Sequence, residues 1–488
     1  MDVESFRRDG HQLIDWIAEY LAHPERYPVL AQVEPGQVKA SLPKGPPERP
    51  EPLEAILQDV EKIIAPGLTH WNHPGFFAYF GITGSGPGIL GELLSSAFNV
   101  NAMLWRTSPA ATELEELVLD WLRQLLGLPA EFMGIINDSA SVSSLCAIAV
   151  AREAAGLRVR EEGLAGRSDL PRLRLYTSEQ AHSSIEKAAI VLGIGQAGVT
   201  KIAVDDEFRL RPDALEAAIK EDLKAGWKPF CVVATVGTTS TTSVDLVPAV
   251  ADVCQRHNLW LHVDAAYAGA AAILPEKRWA LAGCERADSI VMNPHKWLFV
   301  PLDCSALYCR HPGVMKQAFS LVPEYLRTPE EGRVRNYMDY GIQLGRRFRA
   351  LKLWMVLRAF GSEGLRQHLR AHIALAESFR GWIEASPDFE LLAPVPFSVV
   401  CFRHRPCGLP DNSETDAYLN RLNERLLESV NGTGEVFLSH TQLNGKFTLR
   451  LAIGNLRSTE AHVRRAWDLL RQNAERLDAE LRPAALKA

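Results

Sequence analysis

The sequence lacks most of what would mark a special class of protein. No apolar run approaches the roughly 18 residues of a membrane span. The amino terminus, "MDVESFRRDGHQLIDWIAEYL", has early acids in place of a signal peptide's apolar core. Cationic excess is missing too: 53 Lys and Arg face 59 Asp and Glu, a net charge of -6, which leaves no electrostatic footprint for nucleic acid. The eight cysteines form no C-x-x-C pair and no zinc-like spacing. Reduced thiols in a cytoplasmic protein are therefore expected, with no metal site. Internal repeats and low-complexity tracts are also wanting.

What is present is ordinary globular material. At 47% hydrophobic and 23% charged, the chain can build a core, and 488 residues exceed one simple domain. Residues 1–80 read as a helical appendage, with Leu13, Ile14, Ile17 and Leu21 at helical spacing and the Pro/Gly-rich "EPGQVKASLPKGPPERPEP" behind them. From 81 to about 360, the short runs "FMGIIN", "LRLYTS", "FCVVATV", "LWLHVDAAY" and "DSIVMN" alternate with helical stretches such as "LVPAVADVCQRHN". That alternation predicts an α/β domain with a mostly parallel sheet and helices on both faces. Residues 361–488 read as a small α+β domain.

Two motifs fail on context. "GIGQAG", Gly193 to Gly198, has the dinucleotide spacing, but a helical stretch precedes it and a strand-like one follows, so a helix cap and turn are expected. His368 and His372 in "HLRAH" lack the glutamate of a zinc helix and read as solvated.

Lys296 is different. It sits in "SIVMNPHKWLFV", walled by Trp297, Leu298, Phe299 and Val300, where an unpaired ammonium is costly. Thirty-two positions earlier, Asp264 ends the apolar run of "LHVDAAY". Alone, that Asp could be a helix cap. Paired with a lysine at the end of a neighbouring strand, it suits pyridoxal phosphate: the lysine holds the aldehyde, and the carboxylate keeps the ring nitrogen protonated. "NDSAS" places Ser139, Ala140 and Ser141 at a strand-to-helix turn, as a phosphate cradle or as simple capping. Asp138 must then turn away from the phosphate or cap the helix. His182 in "AHSS" is either structural or a ring that stacks on the cofactor.

Taken together, "HPGFFAYF", "SPAATELEELVLDWL", "DSAS", "AHSS", "VATVGTT", "WLHVDAAYAG", "NPHKW", "DCSALY" and "LGRRFRALKLW" resemble the pyridoxal-phosphate-dependent group II decarboxylases, in the aromatic-L-amino-acid branch. The likeness covers nearly the whole chain. It implies the aminotransferase-like fold type I and a homodimer, with residues 1–80 packed on the partner. It also implies roles: Lys296 on the cofactor aldehyde, Asp264 on the ring nitrogen, and His182 and Ala266 on the two ring faces. Thr239 would lie near the ring, with Ser139, Ala140, Ser141, Asn293 and His295 about the phosphate. His295 would also be close to the substrate carboxylate.

Trp71, Tyr79 and Phe80 are implied pocket walls, and "PEYLRTPEEGRVRNYMDY" resembles a mobile lid. Within that lid, Tyr337 is implied as the proton donor to substrate carbon; phenylalanine there accompanies aldehyde synthases. Asn101 and Met103 stand where aromatic-acid enzymes commonly carry apolar or aromatic residues, and Gly345 resembles members that admit an indole. The expected reaction is decarboxylation of an aromatic L-amino acid (tryptophan, phenylalanine, tyrosine or dopa). The alternatives are an aldehyde synthase, a decarboxylase of an aliphatic or acidic amino acid, or a silent regulator of the same fold.

Overall fold

The apolar runs in the middle of the chain lie side by side in one seven-stranded sheet. The structure, a computed structural model, describes residues 1–486 apart from 323–325, 327 and 331. Along the chain the strands are β1 (Phe76–Phe77), β2 (Met133–Asn137), β3 (Leu173–Ser178), β4 (Val199–Ile202), β5 (Lys228–Thr235) and β6 (Trp260–Asp264). There follow β7 (Ser289–Met292), β8 (Ser305–Cys309), β9 (Phe389–Leu391), β10 (Val399–His404), β11 (Phe437–Leu443) and β12 (Lys446–Ala452).

The larger sheet has the order β2-β8-β7-β6-β5-β3-β4. From β7 to β4 every neighbour is parallel, while β8 runs against both β7 and β2. Strands covered on both faces read as unbroken apolar runs, and in β5 every residue but Lys228 is buried. Parallel neighbours also end on the same edge, where open α/β sheets build their sites. Here that edge receives Thr235, Asp264 and Met292 from β5, β6 and β7.

The chain clusters into two compact units. Residues 82–371 with 393–397 carry the seven-stranded sheet; residues 1–81, 372–392 and 398–488 carry the five-stranded sheet β1-β11-β12-β10-β9. The amino-terminal segment thus shares a unit with the carboxyl-terminal residues. Within that unit β1 pairs in parallel with β11, and the Asn455 amide donates to the carbonyls of Trp71 (3.0 Å) and His73 (2.9 Å).

One expectation is corrected. His372 is buried, with Nε2 3.1 Å from the Asn455 carbonyl, and His368 is half-buried, edge-on to Phe299 and Phe360. An i,i+4 spacing identifies a common helix face but not what covers that face. The "GIGQAG" stretch follows the helix Ser184–Val191 and leads into β4, with Gly193 and Gly195 at φ 76 and 73°. No described helix is long and apolar enough to cross a membrane.

Candidate active site

Two neighbouring strand exits build the centre of the site. The Ala265 N–H donates to Val291 O (3.0 Å) and the Asn293 N–H to Ala266 O (3.1 Å), so the chain leaves β6 and β7 side by side. Asp264 is buried at the end of β6, one carboxylate oxygen accepting the Ala266 N–H at 3.1 Å. Past β7, a single helical turn, Pro294–Trp297, carries His295 and Lys296. Its far side is anchored: Trp297, Leu298, Phe299 and Val300 are fully buried, and Trp297 stacks on Tyr267 at 4.8 Å. The apolar wall around Lys296 in the sequence is therefore core, and it fixes the backbone that presents a half-buried lysine.

His182 joins this pair from the loop after β3. Its Nδ1 accepts the Ser184 N–H at 3.2 Å, which leaves Nε2 as the protonated nitrogen of the neutral ring. Crowding of the ring by protein holds its pKa below the ordinary value, the Lys296 charge adds to that, and Asp264 opposes it. Both charges act on one imidazole, which places Lys296, Asp264 and His182 in one cluster. His182 is itself open to solvent in the single chain, and so is Thr239 at the exit of β5.

His295 and Asn293 form a second, buried layer. The His295 Nδ1 accepts the Cys304 N–H at 2.8 Å, and burial, followed by the Lys296 charge, pushes its pKa down to about 3. The ring is thus neutral, with its proton on Nε2, 3.2 Å from the Asn293 side-chain amide. A protonated Nε2 needs an acceptor, so the amide oxygen belongs on that side. The NH2 group then takes the other amide position, which is buried and has no protein partner. An unmatched buried donor at this edge fits an anionic group.

The third element is the turn after β2. Ser139 caps the helix Ala140–Ala154, its hydroxyl accepting the Val142 N–H at 3.4 Å. The first-turn N–H groups of such a helix face outward and favour an anion. Asp138, the awkward charge in this motif, turns aside: its carboxylate accepts from the Ser139 hydroxyl (2.8 Å) and the Gln343 amide (2.9 Å). Capping and cradle are therefore compatible here. Together with the Asn293 donor and the Asp264–Lys296 pair, these residues fit pyridoxal phosphate.

Asn101, Met103 and Gly345 also come together. The Asn101 Oδ1 accepts the Arg346 N–H at 2.9 Å, its Nδ2 lies 3.4 Å from the Met103 sulfur, and a Cβ on Gly345 would stand 3.8 Å from that nitrogen. The exposed Asn101 amide therefore offers its donor side. Trp71, Tyr79 and Phe80 lie in the other compact unit. There Trp71 and Tyr79 stack at 5.9 Å, and Arg450 covers Phe80 at 5.1 Å.

Tyr337 is not with the lysine cluster. It is fully buried among Met133, Ile135, Leu307 and Met315, its hydroxyl unpartnered. Burial, then the Glu115 charge, raises its pKa. From this packing it protonates nothing. The sequence reading also missed Glu115 and Arg346, a buried ion pair at 2.6 Å whose guanidinium lies 4.7 Å from the Tyr337 ring centre. The arginine of the pair lies in the run "GRRFR", where nothing local marks one charge as buried.

Comparison with known proteins agrees with this geometry. The family model described as "Pyridoxal-dependent decarboxylase conserved domain" matches residues 35–405. Tyrosine decarboxylase 4 of Petroselinum crispum is 43% identical over 98% of this chain and 94% of its own length. A phenylacetaldehyde synthase of a Rosa hybrid cultivar is 41% identical over 97% of this chain and 95% of its own. The crystal structure of Oryza sativa TDC with PLP and tryptamine superposes with a TM-score of 0.93 at 39% identity, covering 98% of this chain and 99% of that one.

Proposed function

The chain belongs to the pyridoxal-dependent decarboxylase family, and on that premise we propose that its lysine cluster converts an aromatic L-amino acid to the amine and carbon dioxide. Tryptophan, phenylalanine, tyrosine and dopa are the candidate substrates. The observation that carries this reading is the placement of Asp264 and Lys296 at the neighbouring exits of β6 and β7, which backbone hydrogen bonds join. Lys296 would hold the cofactor and Asp264 would meet its ring nitrogen. His182 and Ala266 would flank the ring near Thr239, and Ser139, Ala140, Ser141, Asn293 and His295 would surround the phosphate. When bound, pyridoxal phosphate supplies the sink for the electrons that carbon dioxide leaves behind.

The chain's own residues do the rest. Asp264, a buried carboxylate at the end of β6, would stabilise a proton on its partner nitrogen. His295 stays neutral at working pH, so it adds no charge near the substrate carboxylate that would retain it. Asn101, Met103 and Gly345 form one wall of the substrate pocket. A tyrosine of the lid returns the proton to the substrate carbon. Tyr337 can do so only by leaving its present packing, and the stretch holds two more, Tyr325 and Tyr340. Tyr325 lies outside the described residues.

A homodimer is part of the proposal. On the helix Gly86–Phe98, Leu90, Leu94 and Phe98 form an exposed apolar stripe, as do Val3, Phe6 and Ile14 on Val3–Ala22. A second copy of the chain would cover both. All eight cysteines are free, which suits the reducing cytoplasm. The 41% identity to a phenylacetaldehyde synthase keeps aldehyde formation as the second reading.

Borohydride reduction of the yellow holoenzyme followed by peptide mass spectrometry tests the assignment. The cofactor should be fixed on Lys296 and on no residue of Lys296→Ala. Assay of carbon dioxide, amine, ammonia and peroxide separates the two readings: peroxide and aldehyde in step with carbon dioxide mean an aldehyde synthase.

A further inference from the structure

The ion pair Glu115–Arg346 does more than fill the core. Strand β2 is an edge of its sheet, and an edge leaves N–H and C=O groups unpaired. At Ile136 both groups are answered by this pair: the N–H donates to the Glu115 carboxylate (2.9 Å) and the carbonyl accepts from the Arg346 guanidinium (2.9 Å). Two residues further on, the strand opens into Asp138 and the cradle, and Asp138 is held by Gln343 of the same segment as Arg346.

On its other side Arg346 clamps the wall. Its guanidinium donates to Ala102 O (3.2 Å), its N–H to the Asn101 Oδ1 (2.9 Å), and its carbonyl accepts the Ala102 N–H (2.9 Å). Arg346 is 6% exposed and Glu115 1%, so neither is exchanging these partners for water. A planar guanidinium can serve three acceptors at fixed angles; a lysine cannot.

We propose that Arg346, braced by Glu115, is a positioning residue that couples the substrate wall at Asn101–Ala102 to the cofactor cradle at Asp138–Ser141. The proposal rests on the functional reading above. Binding on either side would then be felt on the other, with a coupling in the usual range of about 5–150-fold.

The test measures two constants on the same protein: the dissociation constant of pyridoxal phosphate, by absorbance titration of apoenzyme, and KM for an aromatic substrate. Arg346→Lys should raise both by about tenfold with a smaller change in kcat, and Glu115→Gln should do the same. Gln343→Leu, which cuts only the tie to Asp138, should weaken the cofactor constant more than KM. If Arg346→Lys lowers Tm but leaves both constants within twofold, the pair is merely structural and the proposal is overturned. If Arg346→Lys does not fold, Gln343→Leu decides: an unchanged cofactor constant sinks the coupling. A wild-type protein that takes up no pyridoxal phosphate defeats the functional reading itself, a different failure.

Discussion

The Glu115–Arg346 junction and the lysine cluster are both charged and fed by the same sheet, yet they are finished differently. At the junction, carboxylate and guanidinium are tied to each other, to Ile136 and to Ala102. At the cluster, one end of the Asn293 amide and the Thr235 hydroxyl are buried without a hydrogen-bond partner, and His182 stands open to solvent. Folded proteins rarely leave buried polar atoms unmatched, so such atoms mark a place completed from outside. The first region is built to stay as it is, and the second to receive something.

Tyr337 breaks this division most sharply, because sequence places it with the second region and structure with the first. Loss of a proton-returning side chain costs about 10²–10⁴ in rate. Phenylalanine at the true donor should therefore collapse amine formation, measured as kcat for amine. Tyr337→Phe is expected to keep its rate and raise Tm slightly, since it removes a buried hydroxyl with no partner. The large loss should then fall on Tyr325→Phe or Tyr340→Phe. A collapse in Tyr337→Phe would return the role to Tyr337 and show that the lid leaves the core during turnover.

Asp264→Asn comes next in size. It leaves the shape of the cluster intact but removes the charge proposed to hold a proton on the cofactor's ring nitrogen. Breaking a buried charge pair costs about 3–5 kcal/mol, on the order of 10²–10⁴-fold. The loss should appear in kcat, accompanied by a shift of the cofactor absorbance band; a variant with both unchanged would remove Asp264 from the mechanism.

The cluster was far easier to find in the sequence than the junction. Asp264 and Lys296 each follow an apolar run that could only be a buried strand, and a charge in that place calls for an explanation. The five runs read as strands all lie in the larger sheet, whereas β8 was passed over; it is the strand that runs antiparallel to its neighbours. Glu115 and Arg346 lie 231 positions apart. On an amphipathic helix and in an arginine-rich turn, nothing local distinguishes a buried charge from a solvated one. The burial of His372 and Tyr337 escapes the sequence for the same reason: burial of a single side chain is a property of what packs over it.

The substrate wall gives a smaller, sharper test. Because its oxygen is committed to Arg346, Asn101 presents a donor, which matches a phenolic oxygen and not an indole N–H. Gly345, by contrast, leaves room for an indole. Asn101→Leu should lower the tyrosine-to-tryptophan ratio of kcat/KM by about 3–10-fold, the range of one neutral hydrogen bond. No change in the ratio would mean that the amide does not meet the ring.

The smallest effect concerns stability against pH, and its sign follows from burial. His295, His262 and His73 are held neutral, with pKa values pushed down to about 3, 4 and 4, chiefly by burial. A histidine whose folded pKa is depressed contributes fully above its unfolded value of about 6.5. That contribution fades as pH falls toward the folded value, because only the unfolded chain takes up the proton. Each such group costs about 1.4 kcal/mol per pH unit through that window. Asp245 acts in the opposite sense: burial raises its pKa to about 6, so its folded form gains on acidification from 6 toward the unfolded value. Three histidines outweigh one carboxyl, and Tm measured by calorimetry should fall from pH 7 to pH 5. His262→Asn, at a site enclosed by Ser289 and Ser144, should make that fall shallower. A Tm that rises over the same interval would mean that these imidazoles take up protons within the fold, and that the neutral His295 assigned to the active site is wrong.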